Sequence, residues 1–459
     1  MNTIVALATP LGRSGIGVIR LSGDDSLTIV RSLIGDETFS PKARTVHLRQ
    51  LCDQTNSDVI DEALVTYFRA PHSFTGEDVV EISCHGSPVL LRLVIDACLQ
   101  FGARMADAGE FSLRALANGR MDLAEAEAIR DLIDAQTTAA ARQAVRQMSG
   151  ELSHSLQPIK DDLLDVIVVL ESAIEFVEDD LPEIQLENVR TRLRSIADEV
   201  RKMSATFKAG NLIREGIRVA IVGRPNVGKS SLFNALLGSD RAIVTAIAGT
   251  TRDQLHEKFT VGNIPISLID TAGLRETTDT VESIGVERSL RTIADADLVV
   301  AMLDVSEKEN DEDIEILKQV EATEHIIVLN KIDKTDRDGV QKFGKHLRSM
   351  LGNGAIPFVE LSAKTGEGLD ALKQALVHPF APKEINSNSF LVSDARHYDL
   401  LIRANEEIES SMDLLEKKQS EEIVLIGLHN ALRYLGQITG ETTTEDMLTR
   451  IFSTFCIGK

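Results

Sequence analysis

The sequence contains no tryptophan, and aromatic residues make up only 4% of its 459 residues. Modules that recognise single-stranded RNA stack bases on exposed aromatic side chains, and this chain has few of them. Its four cysteines, Cys52, Cys84, Cys98 and Cys456, show no CxxC spacing. This scatter argues against a zinc site and a disulfide framework, and it predicts a protein of the reducing cytoplasm.

The sequence also lacks a hydrophobic run that could cross a membrane, which needs about 20 apolar residues. It opens on a strand-like pattern rather than a basic leader, so we expect a cytoplasmic protein with no membrane association. Basic residues are in deficit, with 49 Lys and Arg against 71 Asp and Glu and a net charge of −22. This balance disfavours broad affinity for nucleic acid, so an RNA substrate would need local basic patches or a basic partner.

A glycine-rich stretch, GRPNVGKS at residues 223–230, is the most informative segment. It follows a strand-like run, IRVAIV, and precedes an amphipathic helical run. A strand, a glycine-rich turn and a helix form a phosphate-binding loop, in which backbone N–H groups surround the phosphates. Lys229 is placed to reach the β- and γ-phosphates, and the Ser230 hydroxyl to ligate Mg²⁺. We therefore predict a nucleotide-phosphate site.

Residues 216–379 alternate between strands and helices, which is typical of an α/β domain with a mainly parallel sheet. In such sheets the ligand lies at the carboxyl ends of the strands. The predicted strands are Arg218–Val222, Lys258–Val261, Ile266–Ile269, Leu298–Leu303, Ile326–Leu329 and Pro357–Leu361.

Four further motifs lie at the ends of these strands or in the loop between them. DTAG at 270–273 offers an Asp for the Mg²⁺ shell and a Gly amide for a γ-phosphate, and GTTRD at 249–253 offers Thr251 as a second Mg²⁺ ligand. NKID at 330–333 ends in Asp333, whose carboxylate can accept both ring N–H donors of guanine, which adenine does not offer. SAK at 362–364 completes a guanine pocket. The set predicts GTP binding and disfavours an ATP-dependent motor or kinase.

The residue after DTAG is Leu274, where Ras-like GTPases have a glutamine that orients the attacking water. An aliphatic side chain cannot do this, so another group must act if the domain hydrolyses GTP. Asn226 could ligate a monovalent cation beside the phosphates, and Glu282 could position the water. From the residues alone, a solvent-facing carboxylate in an acidic loop is the favoured interpretation of Glu282.

Residues 1–118 are predicted to be α+β, and residues 119–215 and 380–459 to be helical, with breaks at Pro158 and Pro182. The simplest architecture inserts the α/β domain into a helical domain whose two parts pack together; independent helical modules are the alternative. The last helix is expected to begin near Thr442, with Glu445 completing a capping box. The segment FTGED at 74–78 could be a structural turn or a loop feeding a ligand pocket.

A family resemblance rests on segments along the whole chain. These are TIVALATPLGRSGIGVIRLSG, SFTGEDVVEI, GEFSLRALANGRMDLAEAEAI, the phosphate loop, DTAGLRETTDTVESIGVER, and RIFSTFCIGK at the carboxyl end. Together they closely resemble the MnmE (TrmE) family of tRNA-modification GTPases.

The resemblance implies a set of nucleotide and cation ligands. GTP contacts would come from Asn226, Val227, Gly228, Lys229, Ser230, Ser231, Thr245, Ala246, Ile247, Ala248, Gly249, Thr250, Thr251, Asp270, Thr271, Ala272, Gly273, Asn330, Lys331, Asp333, Ser362, Ala363 and Lys364. Mg²⁺ would be held by Ser230 and Thr251, and K⁺ by Asn226, Thr245, Ile247 and Thr250. Glu282 would be the catalytic base, and K⁺-dependent dimerisation of the GTPase domains would activate hydrolysis.

The resemblance also implies a reaction and its partners. The N-terminal domain would form a homodimer and bind a reduced folate, 5-formyl- or 5,10-methylene-tetrahydrofolate, through Arg20, Glu77, Arg120 and Lys459. With the flavoprotein MnmG, in a heterotetramer or larger complex, the protein would add an aminomethyl or carboxymethylaminomethyl group at C5 of the wobble uridine (position 34) of certain tRNAs. FAD and NADH would act only through that partner.

Two questions stay open at this point. Cys456 could be a nucleophile that adds to C6 of the uracil, or a small buried hydrophobic residue at the chain end. In a competing interpretation the chain is a regulatory GTPase switch in ribosome assembly, with no modification chemistry. Saturable binding of a reduced folate would favour the enzyme over the switch.

Overall fold

The computed structural model describes residues 2–53, 58–175, 183–239, 257–269, 294–351, 356–380, 390–441, 444–456 and 458. The chain divides into two units. Unit 1 comprises Met1–Ile133, Val145–Arg201 and Leu400–Lys459, and unit 2 comprises Asp134–Ala144 and Lys202–Asp399. Within the described ranges, no helix combines the length and apolar character needed to cross a membrane.

Unit 1 begins with a six-stranded sheet in the order β3-β4-β5-β2-β1-β6. The short pairing of β1 with β6 is parallel, and the other neighbours are antiparallel. Alternating apolar residues, among them Val5, Ile19, Val65 and Ile82, face a common core. The strands are β1 Ile4–Leu7, β2 Ser14–Ser22, β3 Val46–Cys52, β4 Val59–Phe68, β5 Val79–Gly86 and β6 Arg104–Met105.

Helices α1 (Ser26–Ile34) and α2 (Pro88–Gln100) cover the core face of this sheet. In α2 the buried residues Leu91, Val94 and Cys98 recur at helical spacing. Helix α3 (Glu110–Ala117) follows β6 and buries Phe111. The predicted α+β character of the first domain is confirmed.

The next helices are α4 (Leu123–Asp134), α5 (Thr138–Met148), α6 (Glu151–Glu175), α7 (Glu183–Ala205) and α8 (Phe207–Arg214). The predicted break at Pro158 is wrong, because α6 continues through this residue. A proline inside a helix removes one hydrogen bond and costs about 3 kcal/mol. The apolar stripe of α6 supplies the compensating burial, since Leu152, Leu156, Ile159 and Leu163 are all almost inaccessible. Pro182 lies outside the described residues.

Unit 2 contains the second sheet, in the order β12-β11-β10-β7-β9-β8. Its pairings are parallel except between β8 and β9. Strands β9 and β10 are buried along their whole length, which explains their continuous apolar runs. The strands are β7 Ile217–Val222, β8 Glu257–Val261, β9 Ile264–Ile269, β10 Leu298–Asp304, β11 His325–Asn330 and β12 Phe358–Glu360.

Among the described residues of unit 2, this sheet is accompanied by α9 (Lys229–Ser239), α10 (Asp311–Val320), α11 (Arg337–Leu351) and α12 (Leu369–Val377). One core contains Leu232, Leu236, Leu372 and Leu376, and a second core contains Leu317 and Leu347. The sheet is therefore covered on both faces, as in doubly wound α/β folds.

The chain ends in α13 (Ala395–Glu416), α14 (Glu421–Thr439) and α15 (Glu445–Phe452). In unit 1, α14 packs against α6, where His429 pairs with Glu171 and Lys160 pairs with Glu441. Helix α15 begins at Glu445, with Thr444 at its N-cap and no side-chain capping hydrogen bond. The expected start near Thr442 with a capping box is thus wrong. The predicted fold class, with an α+β domain, a helical domain and a P-loop α/β domain, is confirmed.

A buried ion pair in unit 2 joins α8 to the segment before α13. Arg214 Nη1 lies 2.7 Å from Asp394 Oδ2, and the two side chains are 17% and 11% exposed. Burial alone would raise the pKa of Asp394, but His397, Arg214 and the amide of Arg396 hold this pKa far below its usual range.

We expect Asp394→Asn to lower the free energy of unfolding by about 3 kcal/mol at pH 7, because it removes the carboxylate charge that the buried Arg214 faces. A carboxylate with a depressed pKa stabilises the native state above its unfolded pKa of about 3.9, and this stabilisation disappears as the pH falls through the native pKa. The difference from the unaltered chain should therefore be constant from about pH 6 to 8 and shrink below about pH 4. Urea unfolding followed by circular dichroism measures it.

The matched control is Glu215→Gln. Glu215 also approaches Arg214, at 3.6 Å, but its side chain is 64% exposed. Exposed pairs contribute about 0–1 kcal/mol, so this variant should unfold almost like the unaltered chain. If the Asp394→Asn variant were as stable as the unaltered chain, the buried pair would add nothing to stability.

Candidate functional site

The glycine-rich loop leaves the carboxyl end of β7 and leads into α9. Strand β7 lies between β10 and β9, where the strand order reverses, which is the usual ligand position in such sheets. Lys229 Nζ donates to the carbonyl oxygens of Gly223 (2.7 Å) and Arg224 (2.9 Å). Burial lowers the pKa of this amine. The loop thus encloses a cation at the place where a phosphate would bind, with the exposed Ser230 and Ser231 beside it at the start of α9.

The side chain of Lys331 holds the backbone of the phosphate loop in place. Asn226 has a left-handed backbone (φ 65°), and Lys331 Nζ donates to its carbonyl oxygen at 2.8 Å. Lys331 Nζ also lies 2.5 Å from Oδ2 of Asp304, which is only 3% exposed. Burial alone would raise the pKa of Asp304, but hydrogen bonds from Lys331 and Ser306 lower it below its usual value. Asp304, at the end of β10, thereby orients the lysine towards the loop.

Asn330 connects the phosphate loop to the SAK segment. Its Nδ2 donates to the carbonyl of Val227 at 2.6 Å, and its Oδ1 accepts from the amide of Ala363 at 3.0 Å. The residue is 2% exposed, so both bonds are shielded from water. Gly228 passes so close that an added Cβ would lie 2.4 Å from this Nδ2.

Asp333 is exposed, and its carboxylate is oriented from one side. The hydroxyl of Ser362, which is fully buried, donates to Asp333 Oδ1 at 2.7 Å. This bond lowers the pKa of Asp333, so the side chain is a carboxylate at neutral pH. Lys364, two residues after Ser362, is exposed near this carboxylate, and its charge further lowers the pKa. Such a carboxylate can accept two N–H donors from the edge of a guanine.

Two residues that sequence reasoning missed support this site. Asp304 orients Lys331, and Arg224 links the loop to α10 and the turn before it. Arg224 pairs with Glu307 at 2.8 Å and lies 3.4 Å from the buried Asp313. Neither Glu307 nor Asp313 belongs to a nucleotide motif. The fold of the parallel sheet brings both of them to the loop.

Several predicted ligands lie outside the described residues. They are Thr245, Ala246, Ile247, Ala248, Gly249, Thr250, Thr251, Asp270, Thr271, Ala272, Gly273, Glu282 and Lys459.

A separate polar cluster lies in unit 1, around the loop at residues 73–78 that precedes β5. Glu77 of this loop accepts from the Ser22 hydroxyl at 2.7 Å and from Arg114 Nη1 at 2.9 and 3.2 Å. Its side chain is 13% exposed. Arg120 Nε donates to the carbonyl of Ser73 at 3.2 Å, and its side chain lies against Gly76.

Arg20 of β2 faces the same loop. Its Nε and Nη2 donate to Glu81 Oε1 at 2.9 and 2.7 Å. Its guanidinium lies 5.6 Å from the ring centre of Phe74 and 5.9 Å from that of Phe111. Nη1 donates to the carbonyl of Gly458 at 3.3 Å, which brings the carboxyl-terminal segment to this cluster.

The structure therefore gathers Arg20, Glu77 and Arg120 around one loop, within unit 1. Cys456 is a free, exposed thiol, so the interpretation of this residue as a small buried hydrophobic side chain is wrong. Sequence reasoning missed Arg114 and Ser22, because neither lies in a motif with a recognised chemistry.

The fold and the motifs at its strand ends define the class of unit 2, which contains a P-loop GTP-binding domain. Comparisons with known proteins identify the family. Residues 3–120 match the family described as "GTP-binding protein TrmE N-terminus", and residues 123–456 match "MnmE helical domain".

Curated relatives match over the whole length. The tRNA modification GTPase MnmE of Koribacter versatilis is 43% identical, over 100% of this chain and 99% of the relative. The protein of the same name from Aquifex aeolicus is 42% identical, over 99% of both chains. Among solved structures, the G domain of the T. maritima FeoB iron transporter is 32% identical over 36% of this chain and 99% of that one, with a TM-score of 0.26. The chain belongs to the MnmE family, and it is a GTPase.

Proposed function

We propose that this GTPase takes part in tRNA modification. With the flavoprotein MnmG it would add an aminomethyl or carboxymethylaminomethyl group at C5 of the wobble uridine, position 34, of certain tRNAs. The observation that carries this proposal is family membership over the full length of the chain, since its curated relatives are named tRNA modification GTPases. The guanine-nucleotide geometry of unit 2 agrees with it.

In the nucleotide site, Lys229 would pair with the β- and γ-phosphates and Asp333 would recognise guanine. The donor set suits hard cations, because hydroxyl and amide oxygens are their preferred ligands. Ser230 and Thr251 would hold Mg²⁺, and Asn226, Thr245, Ile247 and Thr250 would hold K⁺. When bound, these ions would neutralise phosphate charge where an arginine finger acts in other GTPases. Glu282 would orient the attacking water.

In unit 1, Arg20, Glu77, Arg120 and Lys459 would bind a reduced folate, 5-formyl- or 5,10-methylene-tetrahydrofolate. The cluster around residues 73–78 supports this, because a fixed carboxylate suits the adjacent N–H donors of a pterin and arginines suit the glutamyl carboxylates. The folate would supply the one-carbon unit, and the exposed Cys456 is a candidate nucleophile towards the uracil ring. The protein would act as a cytoplasmic homodimer in a heterotetramer or larger complex with MnmG, which would supply FAD and NADH.

Analysis of tRNA from cells that lack this protein tests the proposed function. Nucleosides from purified tRNA, separated by liquid chromatography and mass spectrometry, should lose the C5-aminomethyl class of wobble uridines. The unaltered gene should restore them. An unchanged modification pattern would contradict the proposal.

We expect GTP turnover to rise when Na⁺ is replaced by K⁺ at constant ionic strength, and Glu282→Ala to lower kcat by about 100-fold or more, the usual range for a general base. The matched control is Glu287→Ala, which removes a carboxylate from the same acidic segment. Initial rates of phosphate release measure both effects. Equal rates of phosphate release in the two salts would contradict the proposed role of K⁺. An unchanged kcat in Glu282→Ala would contradict the proposed role of Glu282 as the base.

A further inference from the structure

We propose that Arg114 is a positioning residue for Glu77, holding its carboxylate in the orientation that accepts the N–H donors of a bound pterin. This inference rests on the proposed folate binding and deepens it. Arg114 would not touch the ligand and would act on binding only through Glu77.

The guanidinium of Arg114 is held on every edge. Nη1 donates to both oxygens of Glu77, Nη2 donates to the carbonyl of Asn2 (2.9 Å) and to Glu110 Oε1 (2.8 Å), and Nε donates to the same Glu110 oxygen (3.2 Å). The side chain is 6% exposed. A planar group fixed by five hydrogen bonds cannot rotate, so it defines where the Glu77 oxygens lie.

Glu110 fixes the Nε and Nη2 atoms of Arg114, while Nη1 contacts Glu77. Its carboxylate also accepts from Arg104, at 2.5 and 2.8 Å, and from the amide of Asp107 at 3.0 Å. Burial alone would raise the pKa of Glu110, but these donors and Arg114 together lower it. Glu110 is therefore an anion that keeps Arg114 in place.

The opposite side of Glu77 is also fixed. Ser22 Oγ donates to Glu77 Oε2 and contacts Thr75 Oγ1 at 2.7 Å, and Thr75 Oγ1 accepts from the Glu77 amide at 3.2 Å. Ser73 Oγ donates to the Glu77 carbonyl at 2.5 Å. Backbone and side chain of Glu77 are thus constrained before any ligand arrives.

This rigidity has a function in binding. A side chain that is already ordered loses little conformational entropy on complex formation, and a carboxylate whose other lone pairs are occupied offers its remaining ones in a defined direction. Arg20 and Arg120 contact the same loop, at Phe74 and at the Ser73 carbonyl. An oriented acceptor in a loop that two arginines contact suits a ligand with N–H donors at one end and carboxylates at the other.

The test is a double-mutant cycle on the full chain, with 5-formyltetrahydrofolate as the probe and isothermal titration calorimetry as the readout. Arg114→Met and Glu77→Gln should each weaken binding by about 10- to 100-fold, and the double variant should bind no more weakly than the weaker single variant. A merely structural role would give effects that multiply. Arg114→Lys, which keeps the charge but cannot reach both carboxylates, should give an intermediate loss.

The matched control is Arg92→Met. Arg92 lies on α2 in the same unit, pairs with Asp96 at 3.8 Å, and its side chain is 84% exposed. Its folate affinity should stay within about threefold of the unaltered chain. GTP affinity reports on unit 2 and should be constant in all variants. If Arg114→Met left the folate affinity unchanged, or if the effects of the two single substitutions multiplied, this inference alone would be overturned. If the unaltered chain showed no saturable folate binding, the proposed folate binding would be overturned as well.

Discussion

Replacing Gly228 by alanine is expected to weaken guanine-nucleotide binding by about 100-fold or more. Gly228 has φ 106°, a backbone conformation that costs an L-residue about 1–3 kcal/mol. An added Cβ would lie 2.4 Å from Asn330 Nδ2 and would displace it from the Val227 carbonyl. Breaking a buried hydrogen bond of this kind costs about another 1–3 kcal/mol. Titration of the full chain with a fluorescent GDP analogue measures the loss.

Gly238→Ala is the matched control. Gly238 lies near the end of α9, and nothing lies within 4 Å of the position of its added Cβ. Alanine favours a helix over glycine by about 1 kcal/mol, so this variant should bind nucleotide normally and be at least as stable. Nucleotide affinity within a few fold of normal in Gly228→Ala would show that the loop and Asn330 can rearrange without cost.

The nucleotide site could be predicted from the sequence because each of its motifs is continuous in the chain. A parallel sheet brings the carboxyl ends of its strands to one edge, so motifs after β7, β11 and β12 must meet there. Fully buried strands such as β10 also have an unambiguous apolar signature. The geometry of this edge therefore follows from the order of strands and motifs.

Supporting residues could not be predicted in this way. Arg114 lies 37 positions from Glu77, and Asp304 acts on the phosphate loop only through Lys331. Their roles depend on a three-dimensional arrangement that no local pattern records. Arginine and aspartate at such positions look like ordinary charged residues until the fold encloses them.

The first sheet was harder to predict than the second. In strand β3 the apolar residues Val46 and Leu48 are exposed, so the usual alternation does not mark the buried face. The break expected at Pro158 failed for the opposite reason, since burial along α6 outweighs the local preference. In both cases tertiary context overrides the local signal.

Asp333→Asn should change which base the site recognises. Guanine presents two adjacent N–H donors, which a carboxylate can accept, and Ser362 already orients one oxygen of Asp333. An asparagine offers one acceptor and one N–H donor, which matches xanthine, whose C2 carries an oxygen instead of an amino group. Two hydrogen bonds to a charged group, at about 1.5–3 kcal/mol each, are replaced by at most one bond to a neutral amide, which should weaken GTP binding by about 100-fold or more.

Competition titrations with GTP and xanthosine triphosphate measure this reversal. Asp338→Asn is the matched control, because it removes the same charge from an exposed position in the first turn of α11. It should leave both affinities almost unchanged, since exposed charges away from a ligand contribute little. Because Asp333 is exposed and its replacement is isosteric, the fold should be preserved, so the ratio of the two affinities reports base recognition directly. An Asp333→Asn chain that still prefers GTP would mean that another group recognises the guanine ring.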